Sequence, residues 1–167
     1  MSILAIVSIK NGAPTKSGLE AASFAADCAS AQGTSAIALV AGEMTGDGGI
    51  GATGISKVLH CSEAFTDSGQ WAKLAAAAAV QEGATSVIAS HDHFGRAVAP
   101  RVAVRLQAGL VAGVTELPSN GTVRKNVFSG KAMADVSVST SVAVYTVTPN
   151  AFGIKATSAE ASVEAFT

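Results

Sequence analysis

The sequence predicts a three-layer α/β/α fold around a mostly parallel sheet, with a C-terminal antiparallel hairpin extension. Three observations carry this. Short β-rich apolar runs alternate with helical stretches from Ile3 to Leu106, the pattern of parallel strands joined by right-handed crossovers. Those runs are apolar without strict alternation, as strands covered on both faces are. After Thr122 the helical pattern stops and strand-like runs follow one another.

The elements follow in order. Ile3–Ile9 is a β-rich run closed by Asn11-Gly12 and reads as the first strand. Lys16–Gln32 places Leu19, Ala22, Ala26 and Ala29 at helical spacing, with Gly33 beyond the end as its left-handed stop. Ser35–Ala41 is a second buried strand and Val58–His60 a short third. Gln70–Gln81 is an alanine-rich helix with Gly83 past its end, and Thr85–Ser90 is a fourth strand. A helix rich in arginine comes next, with Val98, Val102 and Leu106 at i, i+4 and i+8 on one face. Thr122–Phe128, Lys131–Ser137 and Ser141–Val147 then read as three successive strands, extending the sheet or forming a flap beside it. Ser129-Gly130 is read as a tight hairpin turn between the first two. The stretch after Pro149 has weak periodicity and suits a linker.

Composition bounds the function. A chain of 167 residues fits one domain and buries roughly 70% of its unfolded surface. Apolar residues make up 49% and aromatics only 5%, so alanine and valine build most of the core. Small side chains suit close packing of helix on sheet. The net charge of −1 argues against nucleic acid or an anionic membrane as the main partner. Cys28 and Cys61 fall in predicted buried elements without a disulfide framework or CxxC, which fits a reducing compartment. With no signal, transit or spanning segment in the sequence, a cytoplasmic location is expected.

The charge is unevenly placed. Residues 1–95 carry four lysines against eight acids, whereas residues 96–131 carry Arg96, Arg101, Arg105, Arg124, Lys125 and Lys131 against Glu116 alone. Two readings of the cationic stretch stand: an ordinary solvated face, or a docking surface for an acidic partner or a neighbouring domain. Arginine rather than lysine on the helix suits the second, because the planar fork favours interface pairing. Arg96 opens the helix, where the dipole disfavours a cation, and therefore calls for a partner.

Gly95-Arg96, Pro100-Arg101-Val102-Ala103, Leu106 and Val114-Thr115, together with Phe128, Gly130, Lys131 and Ala132 in the segment Arg124–Ala134, resemble the amino-terminal domain of the electron transfer flavoprotein alpha subunit. The strand Val142–Val147, with Thr148, Ala151 and Phe152 after it, resembles the close of that domain. Gly113 stands where the family usually has aspartate, and Lys131 where it has asparagine. The resemblance covers nearly the whole chain and implies an adenine nucleotide alpha hydrolase-like fold. It divides the chain into residues 1–150, the amino-terminal domain, and 151–167, a tail starting the linker to an FAD-binding domain whose motifs do not occur here. FAD is the cofactor of the complete family protein, and none is expected on this chain alone. The implied partners are the beta subunit and the alpha subunit's FAD domain, in a heterodimer that takes electrons from dehydrogenases and passes them to a respiratory acceptor. The implied role is docking without catalysis, with Arg96, Arg101, Arg105, Arg124 and Lys131 as interface candidates.

Other motifs point elsewhere. Gly46–Gly51 satisfies GxGxxG, but it follows the second strand rather than the first, in a loop holding six glycines from Gly42 to Gly54. A dinucleotide fingerprint needs the first strand–helix turn, so a surface loop is expected. His91-Asp92-His93 lies at the carboxyl end of a predicted parallel strand, where ligands gather. Zinc needs three or four protein ligands, and His60 is remote in sequence. No GxSxG or activated cysteine supports nucleophilic catalysis, and Trp71 reads as a packing anchor. The competing assignment is a free-standing universal-stress-type nucleotide-binding domain, but neither its glycine-rich phosphate loop nor its GS or GT motif before the last strand is found.

Overall fold

The computed structural model describes residues 1–119 and 121–167. In chain order the elements are β1 (Ser2–Ile6), β2 (Ile9–Lys10), β3 (Ala13–Pro14), α1 (Lys16–Gln32), β4 (Ser35–Ala41), β5 (Lys57–Cys61), α2 (Ser68–Gln81), β6 (Ala84–Ser90), α3 (His93–Leu106), β7 (Gly109–Val114), β8 (Thr122–Val127), β9 (Ala132–Ser137), β10 (Ala143–Val147) and β11 (Ser162–Ala165). One sheet runs β11-β5-β4-β1-β6-β10-β7-β8-β9. Its members from β11 to β7 are parallel, and β8 and β9 are antiparallel. β2 and β3 form a separate ribbon around Asn11 and Gly12, both at positive φ, as a two-residue turn of right-handed strands demands.

The two faces of the sheet read off the period of two in its strands. Ile3, Ala5, Val7, Ala38, Val40 and Ile88 pack with Ala21, Ala22, Phe24 and Ala25 of α1. Leu4, Ile6, Ile37, Leu39, Val87 and Val144 face the other way, against Ala72, Ala75 and Ala78 of α2 and Val98 and Val102 of α3. The alanines let the helix axes approach the sheet closely, so large strand residues such as Leu39 and Ile88 reach 0% exposure, worth about 1.5–3 kcal/mol each. The fold is the three-layer α/β/α arrangement that the alternation predicts.

Local signals set the helix ends. Thr15 accepts the Gly18 N–H at 3.1 Å and Gly33, at φ 64°, returns its N–H to Ala29 and Ser30, which bounds α1 where the sequence places it. Asp67 caps α2 by accepting from Gln70 N at 2.9 Å.

Four features differ from the sequence-based reading. Gly109–Val114, rich in glycine and not recognised as a strand, is β7; Gly113 sits at φ 72° where the register with β10 shifts. The third late run does not stay with the hairpin: β10 inserts in parallel between β6 and β7. Its Ala143, Val144, Thr146 and Val147 are all buried, and only an interior strand covers both faces in this way. The link between β8 and β9 is Phe128–Lys131 rather than a two-residue turn, because Phe128, Ser129 and Gly130 all take positive φ. Finally, the weakly periodic tail contains a strand. β11 pairs in parallel with β5, and Phe166 behind it is buried in the core. The unpaired edge of β5 supplies the backbone groups that a short, non-periodic segment can satisfy.

Candidate functional site

The site is built around the end of β6 and the helix that follows. Gly95 is required by contact, since a Cβ there would lie 1.7 Å from the Ser90 carbonyl oxygen. Asp92 caps α3, its Oδ1 accepting from Gly95 N at 2.9 Å and its Oδ2 from the Ser17 hydroxyl at 2.7 Å. Burial raises the carboxyl's pKa, but these donors outweigh it and hold Asp92 below the usual carboxylate range. Ser17 lies in the first turn of α1, so the contact spans the gap between β1 and β6. There the strand order reverses, and open α/β sheets gather ligands at such a point.

His91 is fixed from below. Its Nδ1 lies 2.8 Å from the Thr146 hydroxyl, which also accepts the Gly113 N–H at 3.0 Å. Thr146 is buried, and which of the two partners donates in this bond depends on the imidazole tautomer. Burial first, then the positive charges of Arg96 and Lys125, push the pKa of His91 down. His93 is exposed on the first turn of α3 and does not converge with His91, while His60 Nε2 meets the Gly42 carbonyl at 2.8 Å. Among the described residues no group of three His, Cys, Asp or Glu is placed to hold a metal ion.

The five arginine and lysine candidates fall in three places. Arg101 and Arg105 share the outer face of α3, Arg96 lies at its amino end beside His91, and Arg124 and Lys131 belong to the β8–β9 hairpin. Arg124 is engaged within the chain: its Nε and Nη2 meet both Asp135 oxygens at 2.7 and 3.1 Å across the strand pair, and Glu116 approaches to 3.7 Å. Arg101 donates to the Ala97 carbonyl at 2.8 Å, one turn back along a helix that Pro100 deprives of a backbone donor. Arg96, Arg105 and Lys131 make no ion pair among the described residues.

The glycine loop is filled from within. Asp47 Oδ1 accepts from Gly49 N and its Oδ2 from Gly51 N, both at 2.9 Å, and Oδ2 also accepts from Ala161 N at 3.1 Å. Burial raises this carboxyl, and the three amides more than reverse it, leaving Asp47 below its ordinary range. The amide cradle that a phosphate would use therefore holds the chain's own carboxylate.

A cleft of about 500 Å³ opens beyond the carboxyl ends of β1, β4 and β5, walled by Phe65, Trp71 and Phe94 in successive edge-on pairs. Trp71 donates to the Phe65 carbonyl at 3.1 Å and is the packing anchor its sequence context suggests. No lysine or arginine lines this cleft, and Glu43 does. A pyrophosphate placed there would meet the Glu43 carboxylate and, among the described lining residues, no counter-charge.

Sequence reasoning missed Glu20. It sits on α1 at 3% exposure and accepts from Asn150 N, Phe152 N and Gly153 N at 2.7, 2.8 and 3.1 Å. A single acid between apolar helical positions carries no signal of such a partner 130 residues away. No curated protein matches this chain. The family model of the electron transfer flavoprotein domain matches residues 3–167, and the chain belongs to that family.

Proposed function

We propose that this chain is the amino-terminal, heterodimer-forming domain of an electron transfer flavoprotein alpha subunit. It helps assemble a complex that carries electrons from dehydrogenases to a respiratory acceptor, works in the cytoplasm, and leaves flavin binding to the alpha subunit's FAD domain. The arginine face of α3 carries the reading: a helix with three arginines and no acid of its own, whose Arg96 and Arg105 lack ion pairs among the described residues. The fit of Gly95 against Ser90 gives the glycine-arginine pair of the alpha-type motif a structural reason at this position. The Asp47-filled loop and the acid-bearing cleft are consistent with a domain that docks rather than binds FAD. Among the described residues no helix is long and apolar enough to cross a membrane.

In this account the chain's own residues bind and orient. Arg96, Arg101 and Arg105 on α3, and Arg124 and Lys131 at the separate hairpin, meet the beta subunit and the FAD domain. Calorimetric titration with the beta subunit, and separately with FAD, AMP and ATP, tests it. Tight binding of the beta subunit and heat-silent nucleotides are expected. Stoichiometric FAD binding would overturn the division of labour, and tight ATP or AMP binding would favour a free-standing nucleotide-binding domain.

A further inference from the structure

The outer face of α3 offers more than charge. Pro100, Val104, Arg101 and Arg105 line an open recess of about 560 Å³, and Gly69 in the first turn of α2 closes its far side without a side chain. Val104 is 79% exposed, on a helix whose opposite face is fully packed. Resting on the docking reading above, we propose that this recess receives an aliphatic or aromatic side chain flanked by carboxylates, presented by the beta subunit.

Charge argues for the carboxylates. Three of the chain's cations have acids within reach, Lys57 with Glu82 and Glu164, Arg124 with Asp135 and Glu116, and Lys155 with Asp27, and the recess arginines are not among them. Among the described residues the recess is lined by two arginines and no acid, the Asp67 carboxylate lying behind Gly69. Arg101 gives one N–H to Ala97, and among the described residues its other donors and all those of Arg105 have no side-chain or backbone acceptor. An apolar floor between two planar guanidinium groups suits one desolvated anchor ringed by charge-assisted hydrogen bonds.

The same charge counts against a second copy paired about a twofold axis. A twofold contact pairs a patch with itself and would press Arg101 and Arg105 of one copy against those of the other. The exposed valine argues against nucleic acid, whose phosphates gain nothing from an aliphatic floor. The recess alone is too small for a stable interface of about 1,200–2,000 Å², so it serves as the anchor within a wider contact.

The test is calorimetric titration of the full chain with the purified beta subunit at low and high salt. Variants are the double substitution Arg101→Glu/Arg105→Glu, Val104→Ser, and Lys10→Glu as a control on the exposed β2–β3 ribbon; circular dichroism and thermal melting establish that each folds. The double variant is expected to weaken binding by about 100-fold or more and to flatten its salt dependence, and Val104→Ser by about 10-fold. Lys10→Glu stays within about twofold. If wild type binds tightly and neither recess variant weakens it, the recess proposal falls while the docking reading stands. If wild type shows no affinity for the beta subunit, the docking reading itself falls and takes the recess with it. Self-association lost in the double variant, or tighter binding of a duplex DNA probe than of the beta subunit, would also overturn the assignment.

Discussion

The Ser17 hydroxyl on α1 donates to the Asp92 carboxylate at the head of α3, at 2.7 Å. The two helices lie on opposite faces of the sheet, so this bond ties the outer layers together through the gap between β1 and β6. Asp92→Ala removes both the cap and the tie and is expected to destabilise the chain by about 2 kcal/mol. Ser17→Ala removes the tie alone and costs about 1 kcal/mol. Urea midpoints with an unchanged denaturant slope would measure both; equal losses would show that the cap contributes nothing.

Acid weakens the fold in two stages. His91 and Asp92 both bind protons less readily when folded, so the unfolded chain takes up more protons and gains as the pH falls. The stability held by His91 is complete above its ordinary value of 6.5 and is lost as the pH drops through its lower folded value. That held by Asp92 is complete above 3.8 and is lost below it. His91→Gln should remove the first stage and leave the second, as read from urea midpoints at a series of pH values.

Glu20 holds the tail. Its buried carboxylate gathers the amides of Asn150, Phe152 and Gly153, while Phe152 meets Phe24 edge-on at 4.6 Å. Glu20→Ala leaves those amides without their acceptor and should cost about 3 kcal/mol. Limited proteolysis is expected to cut the variant first between residues 153 and 161; a cleavage pattern identical to wild type would show that the tail does not depend on Glu20.

Gly51 marks where the tail passes the glycine loop, since a Cβ there would lie 2.2 Å from Ala161 N. Gly51→Ala must displace backbone and is expected to cost about 1–3 kcal/mol. Faster amide exchange in β11 than in β4 would locate the damage; uniform change across the sheet would count against a local clash.

Cys28 should be inert in the folded chain. Burial, with Asp27 nearby, pushes its thiol up to about 12, leaving about one thiolate in ten thousand at pH 8. Both cysteines are buried and free, so a thiol reagent should label neither until urea unfolds the protein. Prompt labelling of Cys28 at pH 8 would contradict this.

The sequence was most readable where local chemistry decides. Thr15 and Gly33 bound α1, and the apolar run of β4 needs no tertiary context. It was least readable where the deciding partner is distant. β7 is half glycine and alanine, and its strand character comes from β10, which lies beyond the hairpin. β11 has no pattern because all four of its residues are exposed and only the edge of β5 recruits it. The site divides the same way. The arginines of α3 are visible at helical spacing, whereas the His91–Thr146 contact, the Ser17–Asp92 tie and the Ala161 amide on Asp47 depend on residues far apart in the chain.

The seating of β11 against β5 also sets an order of events. Ser162 meets Ser56 across a separation of 106 residues, so β5 emerges from the ribosome long before the strand that covers it. Until then β5 presents a bare strand edge, the template on which nascent chains aggregate. A chaperone acting on this protein during synthesis would find its target there, and slowing translation across the tail would lengthen the time that edge stays open.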